Sequence, residues 1–168
     1  MIQVKLPKPD IGIEAQDIDT LLAMLIFGES RLDDRDEDHW EEFEMKAGVG
    51  WVAYNRSKHP AWWGKDLRGA ILKPHQFSCF NPNDRNRVKL LDPLAHEASY
   101  VWDACFVVAS GILSGIIPDP TLKSDHYFDD SLVRDNRMPR WAERKNFVKV
   151  IGKFLFYRIY LPKPIIKG

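Results

Sequence analysis

Cysteine is scarce in this chain of 168 residues: Cys79 and Cys105 stand alone, without metal-ligand spacing or a secreted context. A disulfide framework is therefore not expected, and both are read as reduced, structural thiols. The five histidines, His39, His59, His75, His96 and His126, form neither an H-E-x-x-H signature nor another clear ligand pair, so no metal and no other cofactor is expected. Long apolar runs are missing too. Val101 to Ile117 is the most hydrophobic stretch, but Asp103, Gly111 and Gly115 interrupt it and it is short for a bilayer, which predicts a buried core helix. The first twenty residues hold Pro7, Pro9 and four acids; without an unbroken apolar segment they do not read as a secretory signal. Synthesis in the cytoplasm follows, with help needed to leave it. There is no internal repeat and no low-complexity segment.

What is present is an ordinary globular composition, 45% apolar and 12% aromatic, on a chain long enough for one domain with a real core and too short to expect two. The net charge is zero, but the charge is unevenly placed. Glu29 to Glu44 carries nine acids against Arg31 and Arg35, whereas the segment from Arg134 onwards carries ten Lys or Arg against Asp135 and Glu143. That basic end is compatible with an anionic partner, although a solvated surface is the commoner cause of such asymmetry. It does not identify nucleic acid, and none is expected.

Pro7 and Pro9 block regular structure in residues 1–16, which read as an arm preceding a domain over 17–168. Asp17 or Asp19 can cap a first helix, and its apolar face, Ile18, Leu22, Leu25, ends on Glu29. The acidic run after it reads as a surface loop. A second helix is expected from about Glu41 to Ser57, where Ala47, Gly48, Gly50 and Ala53 would let the first helix pack very close and bring Glu44 and Asn55 towards Glu29. "KDLRGAILKP" reads as a short helix begun by Asp66 and stopped before Pro74. "HQFSCF" alternates like a strand. Asp92 and Pro93 would open the longest helix, running to about Ser114. "SDHYF", "FVKVIG" and "KFLFYRIYL" then predict a small antiparallel sheet with a turn at Gly152. Helices first and strands later make an α+β domain.

Glu29 is the residue that asks for an explanation. A structural ion pair with Arg31, Arg35 or Arg56 would account for a carboxylate on an apolar face. So would a catalytic role: glycine beside it clears space, polar residues follow, and a carboxyl at the lip of a poorly hydrated cleft is disfavoured as the anion and so becomes a general acid of the kind glycoside cleavage needs.

The segments "LIFGESR", "AGVGWVAYNR", "ILKPHQFSCF", "SGIIPDPT", "DHYF" and "PRWA…VIGKFLFYR", in that order from about Leu21 to Arg158, resemble the cell wall hydrolase family of SleB-type spore-cortex-lytic enzymes, which includes bacteriophage lysis proteins. The resemblance implies a lysozyme-like, helix-rich α+β domain that cuts peptidoglycan glycan strands as a lytic transglycosylase. Glu29 would be the catalytic acid, protonating the oxygen between N-acetylmuramic acid and N-acetylglucosamine and then taking the proton of the muramyl C6 hydroxyl. A 1,6-anhydro sugar results. Because the nucleophile belongs to the substrate, one carboxylate suffices.

The same resemblance offers substrate-binding candidates. Glu44 opens the family's second helix and would orient substrate or a proton, unless it is only a helix N-terminal charge. Asn55, in the family's Asn-Arg pair with Arg56, would bind an N-acetyl group or cap the helix. Gln76, Phe77 and Ser78 would line a sugar groove, Phe77 stacking on a ring. His126 and Tyr127 match the family's His-Tyr, where the histidine would bond the acid or the substrate or be satisfied structurally. Trp141 reads as core. The chain departs from the family in its longer acidic insertion, in Phe154 where a histidine is common, and in Asp125 where a small hydroxyl residue is usual.

The competing expectations are a hydrolytic muramidase, a zinc-holding amidase cutting between sugar and peptide, and a non-catalytic wall-binding or virion protein. A compact domain without a signal suits a phage endolysin, monomeric and acting on peptidoglycan in the periplasm after release, with its basic end against an anionic envelope surface.

Overall fold

The computed structural model describes residues 2–30 and 39–160. The acidic run 31–38, expected as a surface loop, lies outside the described residues, as does the end of the basic segment beyond residue 160. The first helix, α1 (Ile18–Glu29), is buried on every side from Thr20 to Phe27. The expected stripe is therefore only part of its buried surface: Leu22 and Leu25 are fully covered, while Ile18 and Glu29 at its two ends are half-buried. Such all-round apolarity suits a helix at the centre of a core.

The second helix, α2 (His39–Ser57), starts slightly earlier than expected and is the longest described. Its small residues work as packing surfaces on two sides. A Cβ on Gly50 would stand 3.0 Å from Ile26 Cδ1 of α1, and one on Gly48 would stand 2.6 Å from Phe156 Cζ of the sheet. The short helices α3 (Pro60–Trp63), α4 (Leu67–Leu72) and α5 (Arg87–Leu91) follow. Asp66 caps α4 as expected, its Oδ1 accepting from the Gly69 N–H at 2.8 Å.

Two expectations are corrected here. "HQFSCF" is a turn leading into a 3-10 turn at Ser78–Phe80, not an edge strand; the alternation reflects Phe77 and Cys79 pointing into the core with Ser78 exposed, a pattern a tight turn produces as well as a strand. Asp92 and Pro93 open only a 3-10 turn, Pro93–Ala95, and the helix they were expected to begin is α6 (Ser99–Leu113). The chain is extended at Ala98, which separates the two. α6 buries Val101, Trp102, Cys105, Phe106, Val108, Ala109 and Ile112, with Trp102 edge-on to Phe27 of α1 at 5.8 Å. No described helix is long and apolar enough to cross a membrane.

The sheet forms where it was expected, from β1 (His126–Asp129), β2 (Phe147–Ile151) and β3 (Phe154–Tyr157) in the order β1-β3-β2, all antiparallel, with the one-turn helix α7 (Ser131–Arg134) after β1. Gly152 makes the β2–β3 turn with φ +53°, a conformation glycine adopts without the steric cost of a side chain. The arm ahead of α1 is irregular up to a 3-10 turn at Ile13–Ala15, and it is tied down. Lys5 O accepts from Trp102 Nε1 at 2.9 Å, and the Gln16 amide bonds both N and O of Lys8. Helix-rich α+β architecture with a small antiparallel sheet is thus the observed fold.

Candidate active site

Glu29 is the last residue of α1, and the two oxygens of its carboxylate are held separately. Oε1 accepts from the backbone N–H of Cys79 at 3.2 Å, and Oε2 accepts from the Tyr127 hydroxyl at 2.9 Å. Gly28 makes the first contact possible. A Cβ there would lie 2.7 Å from both Cβ and Sγ of Cys79 and 3.1 Å from Leu90 Cδ2, so only a residue without a side chain lets the 3-10 turn seat its amide against the helix end. The space that glycine clears is filled by the protein itself.

Tyr127 reaches Glu29 because side chains alternate along a strand. On β1 it projects towards the helices, packed edge-on against Phe154 at 5.0 Å and against Phe156 at 5.8 Å. Burial first, and then the Glu29 carboxylate, push the Tyr127 phenol well above its ordinary range, which keeps it a neutral hydrogen-bond donor. His126, the preceding residue, bonds Asp125 through Nδ1 at 2.8 Å and packs against Trp141 and Trp63 at 4.7 and 5.9 Å. Of the His-Tyr pair, the tyrosine reaches the acid and the histidine is satisfied elsewhere.

Beside them lies a buried cation. The Arg56 side chain is 5% exposed, its Nε donates to Asp125 O at 2.7 Å, and its guanidinium sits 4.7 Å from the Phe77 ring centroid and 5.8 Å from that of Trp63. Its second amino nitrogen, Nη1, is buried with no hydrogen-bond partner among the described residues. Burial lowers its pKa, and the negative charges of Asp125 and Glu29 work against that shift. Arg56 lends Glu29 a positive field without a hydrogen bond to it among the described residues.

The other candidates divide. Phe77 is buried, 3% exposed, beneath Arg56; the ring expected to stack on a sugar stacks on a guanidinium. Gln76 is half-buried and Ser78 exposed beside it. Asn55 does not cap its helix: its amide donates to Asp119 Oδ2 at 3.0 Å and Ser124 O at 2.9 Å, tying α2 to the loop before the sheet. Glu44 lies half-buried in the second turn of α2, on the face it shares with Gly48 and Asn55. The departing Asp125 is 1% exposed. Burial would raise its carboxyl, but His126 and the N–H groups of Ile159 and Tyr160 hold it below the usual carboxylate range. Phe154, where a histidine was noted as common, braces Tyr127. Trp141 packs with Phe128 and Tyr157 at 5.8 and 5.6 Å.

The Cys79 amide is the partner of Glu29 that the sequence does not reveal. A backbone donor has no residue signature; the available signal was Gly28, whose bare Cα announces a close approach without naming the visitor. Both thiols are free. Burial and Glu29 push the Cys79 thiol up, and burial pushes Cys105 up to about 12. Among the described residues no group of three or more His, Cys, Asp or Glu is placed to hold a metal ion.

A half-buried carboxyl held by one phenol and one amide, with a buried guanidinium nearby, can give up and recover a proton in a fixed orientation. The catalytic domain of the germination-specific lytic transglycosylase SleB from Bacillus anthracis superposes on the protein with a TM-score of 0.57 at 18% identity, covering 91% of this chain and 100% of its own. At that identity the likeness is one of fold. No curated protein matches. The sequence model of the family described as Cell Wall Hydrolase matches residues 40–157, a segment that begins after Glu29 and contains Arg56, Cys79 and Tyr127. That segment is well over half of the chain, and the protein belongs to the cell wall hydrolase family.

Proposed function

We propose that the protein cleaves the glycan strands of peptidoglycan as a lytic transglycosylase, with Glu29 as its single proton donor and acceptor. The observation that carries this reading is the pair of donors on Glu29, a neutral phenol and a backbone amide, where a structural ion pair would place a guanidinium or ammonium. Protonated, Glu29 gives its proton to the oxygen leaving muramic acid C1. The carboxylate left behind is stabilised by the Tyr127 hydroxyl, the Cys79 amide and the field of Arg56. It then takes the proton of the C6 hydroxyl as that oxygen closes on C1, giving a 1,6-anhydro end without consuming water. Glu44, Gln76 and Ser78, half-buried or exposed, are the substrate-binding candidates whose surfaces remain open. In biological terms the reading is a phage endolysin, made in the host cytoplasm and acting on the wall in the periplasm.

Product analysis on purified sacculi, with wild type beside Glu29→Gln, tests the reading. Anhydro-muramyl ends from wild type and none from the variant are expected. Reducing muramic acid ends would make the protein a hydrolytic muramidase; free peptides abolished by chelator would make it an amidase. Binding without any released product would make it a wall-binding protein. Glu29→Gln should melt at the same temperature as wild type or higher, since a partly buried carboxylate costs desolvation that an amide does not.

A further inference from the structure

Three cations from distant parts of the sequence converge on one cavity on the side of α2 that carries Asn55. Lys58, Lys123 and Arg158 line a space of about 500 Å³ together with His59, Asn55, Asp119, Trp51 and Tyr54. None of the three makes an ion pair among the described residues; Lys58 instead lies over the Tyr54 ring at 4.5 Å. The one acid in the lining is already saturated. Asp119 accepts from Asn55 Nδ2, from the N–H and Oγ1 of Thr121 and from the Lys123 N–H, at 2.6 to 3.0 Å. Those bonds also hold Leu122 and Lys123 at φ +52° and +67°, left-handed conformations that residues with side chains adopt at a cost. The loop is fixed so that Lys123 is presented to the cavity. Trp51 and Tyr54, edge-on at 5.1 Å, add an aromatic wall. The cavity thus offers unspent positive charge beside apolar surface. Its wall residue Asn55 is the chain neighbour of Arg56, whose charge is felt by Glu29, so the cavity opens on the helix that carries that cation.

We propose that this cavity is a subsite for an acidic peptide, the carboxylate-bearing peptide carried on the muramic acid of the wall, an assignment that rests on the peptidoglycan reading above. Its carboxylates meet Lys58, Lys123 and Arg158, and its aliphatic side chains meet Trp51 and Tyr54. Such charge complementarity across a partly exposed site sets recognition more than cleavage, and it weakens with salt.

The test measures binding apart from turnover. On a Glu29→Gln background, Lys58→Ala with Lys123→Ala, both exposed positions, is compared with its parent on native sacculi and on sacculi whose carboxylates have been amidated. The double change is expected to weaken binding to native sacculi by about fivefold, as loss of two exposed charge contacts should. Amidation should weaken the parent to the same level and leave the double variant where it was. Equal binding of parent and variant to native sacculi overturns the subsite, as does an equal loss on both substrates. A loss on anionic phospholipid vesicles with none on sacculi also overturns it, in favour of a membrane contact. If the protein with the same two alanines and Glu29 intact still yields anhydro products from sacculi while binding is unchanged, the subsite fails and the glycan-cleaving reading stands; if wild type releases no product at all, that reading fails first.

Discussion

The Tyr127 hydroxyl donates to Glu29 Oε2 at 2.9 Å across 98 positions of sequence, joining the last residue of the central helix to the first strand. Replacing Tyr127 with Phe removes that donor and keeps the ring against Phe154 and Phe156. Loss of one hydrogen bond to a charged group should lower kcat by about tenfold to a hundredfold. Turbidity clearing of sacculi reads the rate, and thermal melting, changing far less than the rate, shows that the fold is intact.

Gly28→Ala tests the close approach on the other side of the acid. Its new methyl would sit 2.7 Å from Cys79 Cβ and Sγ, forcing the 3-10 turn outward at a cost of about 1–3 kcal/mol. Denaturant unfolding should show the loss, and Cys79→Gly beside it should recover part of it. Activity should fall further than stability, because the amide that moves is the one bonded to Glu29.

Asp125 predicts a pH dependence. Its carboxyl is lower in the folded protein than in the unfolded chain, so the stability it contributes is fully present above about pH 4 and is lost as pH falls through its folded value. Asp125→Asn should flatten that acid limb of the unfolding free energy. At neutral pH it should cost about 2 kcal/mol, since an amide cannot accept from both the Ile159 and Tyr160 N–H groups with two oxygens.

Both thiols should be silent towards a disulfide reagent in the native protein at neutral pH, being buried with pKa values pushed up. Unfolding should release two per chain. Reaction of one thiol before unfolding would show that the turn carrying Cys79 opens by itself.

The sequence made the acid and the helices around it legible for a physical reason. Glu29 interrupts an otherwise apolar period, Asp66 and Pro74 bracket α4, and Gly152 marks a hairpin. Two-residue alternation around Ser78 is the same whether a chain is extended or tightly turned; the turn is fixed by the Phe80 and Asn81 N–H bonds to Phe77 O and Ser78 O, which alternation does not encode. Asp92 and Pro93 looked like a helix start for a similar reason, as a proline with fixed φ begins either kind of helix. His126 and Tyr127 were both candidates, and only Tyr127 bonds Glu29, since sequence does not say which residue of an adjacent pair faces inward. Asn55 was legible as a special residue, and its role in holding the loop from Asp119 to Ser124 was not.

Glu29 borrows its surroundings from chain made long after it: the turn at Cys79 and, later still, the strand at Tyr127. During synthesis the carboxylate is therefore an ordinary glutamate, hydrated and unremarkable, until the strand that completes its pocket has emerged and docked. A polypeptide cut short before that strand carries Glu29 without the phenol that orients its carboxylate.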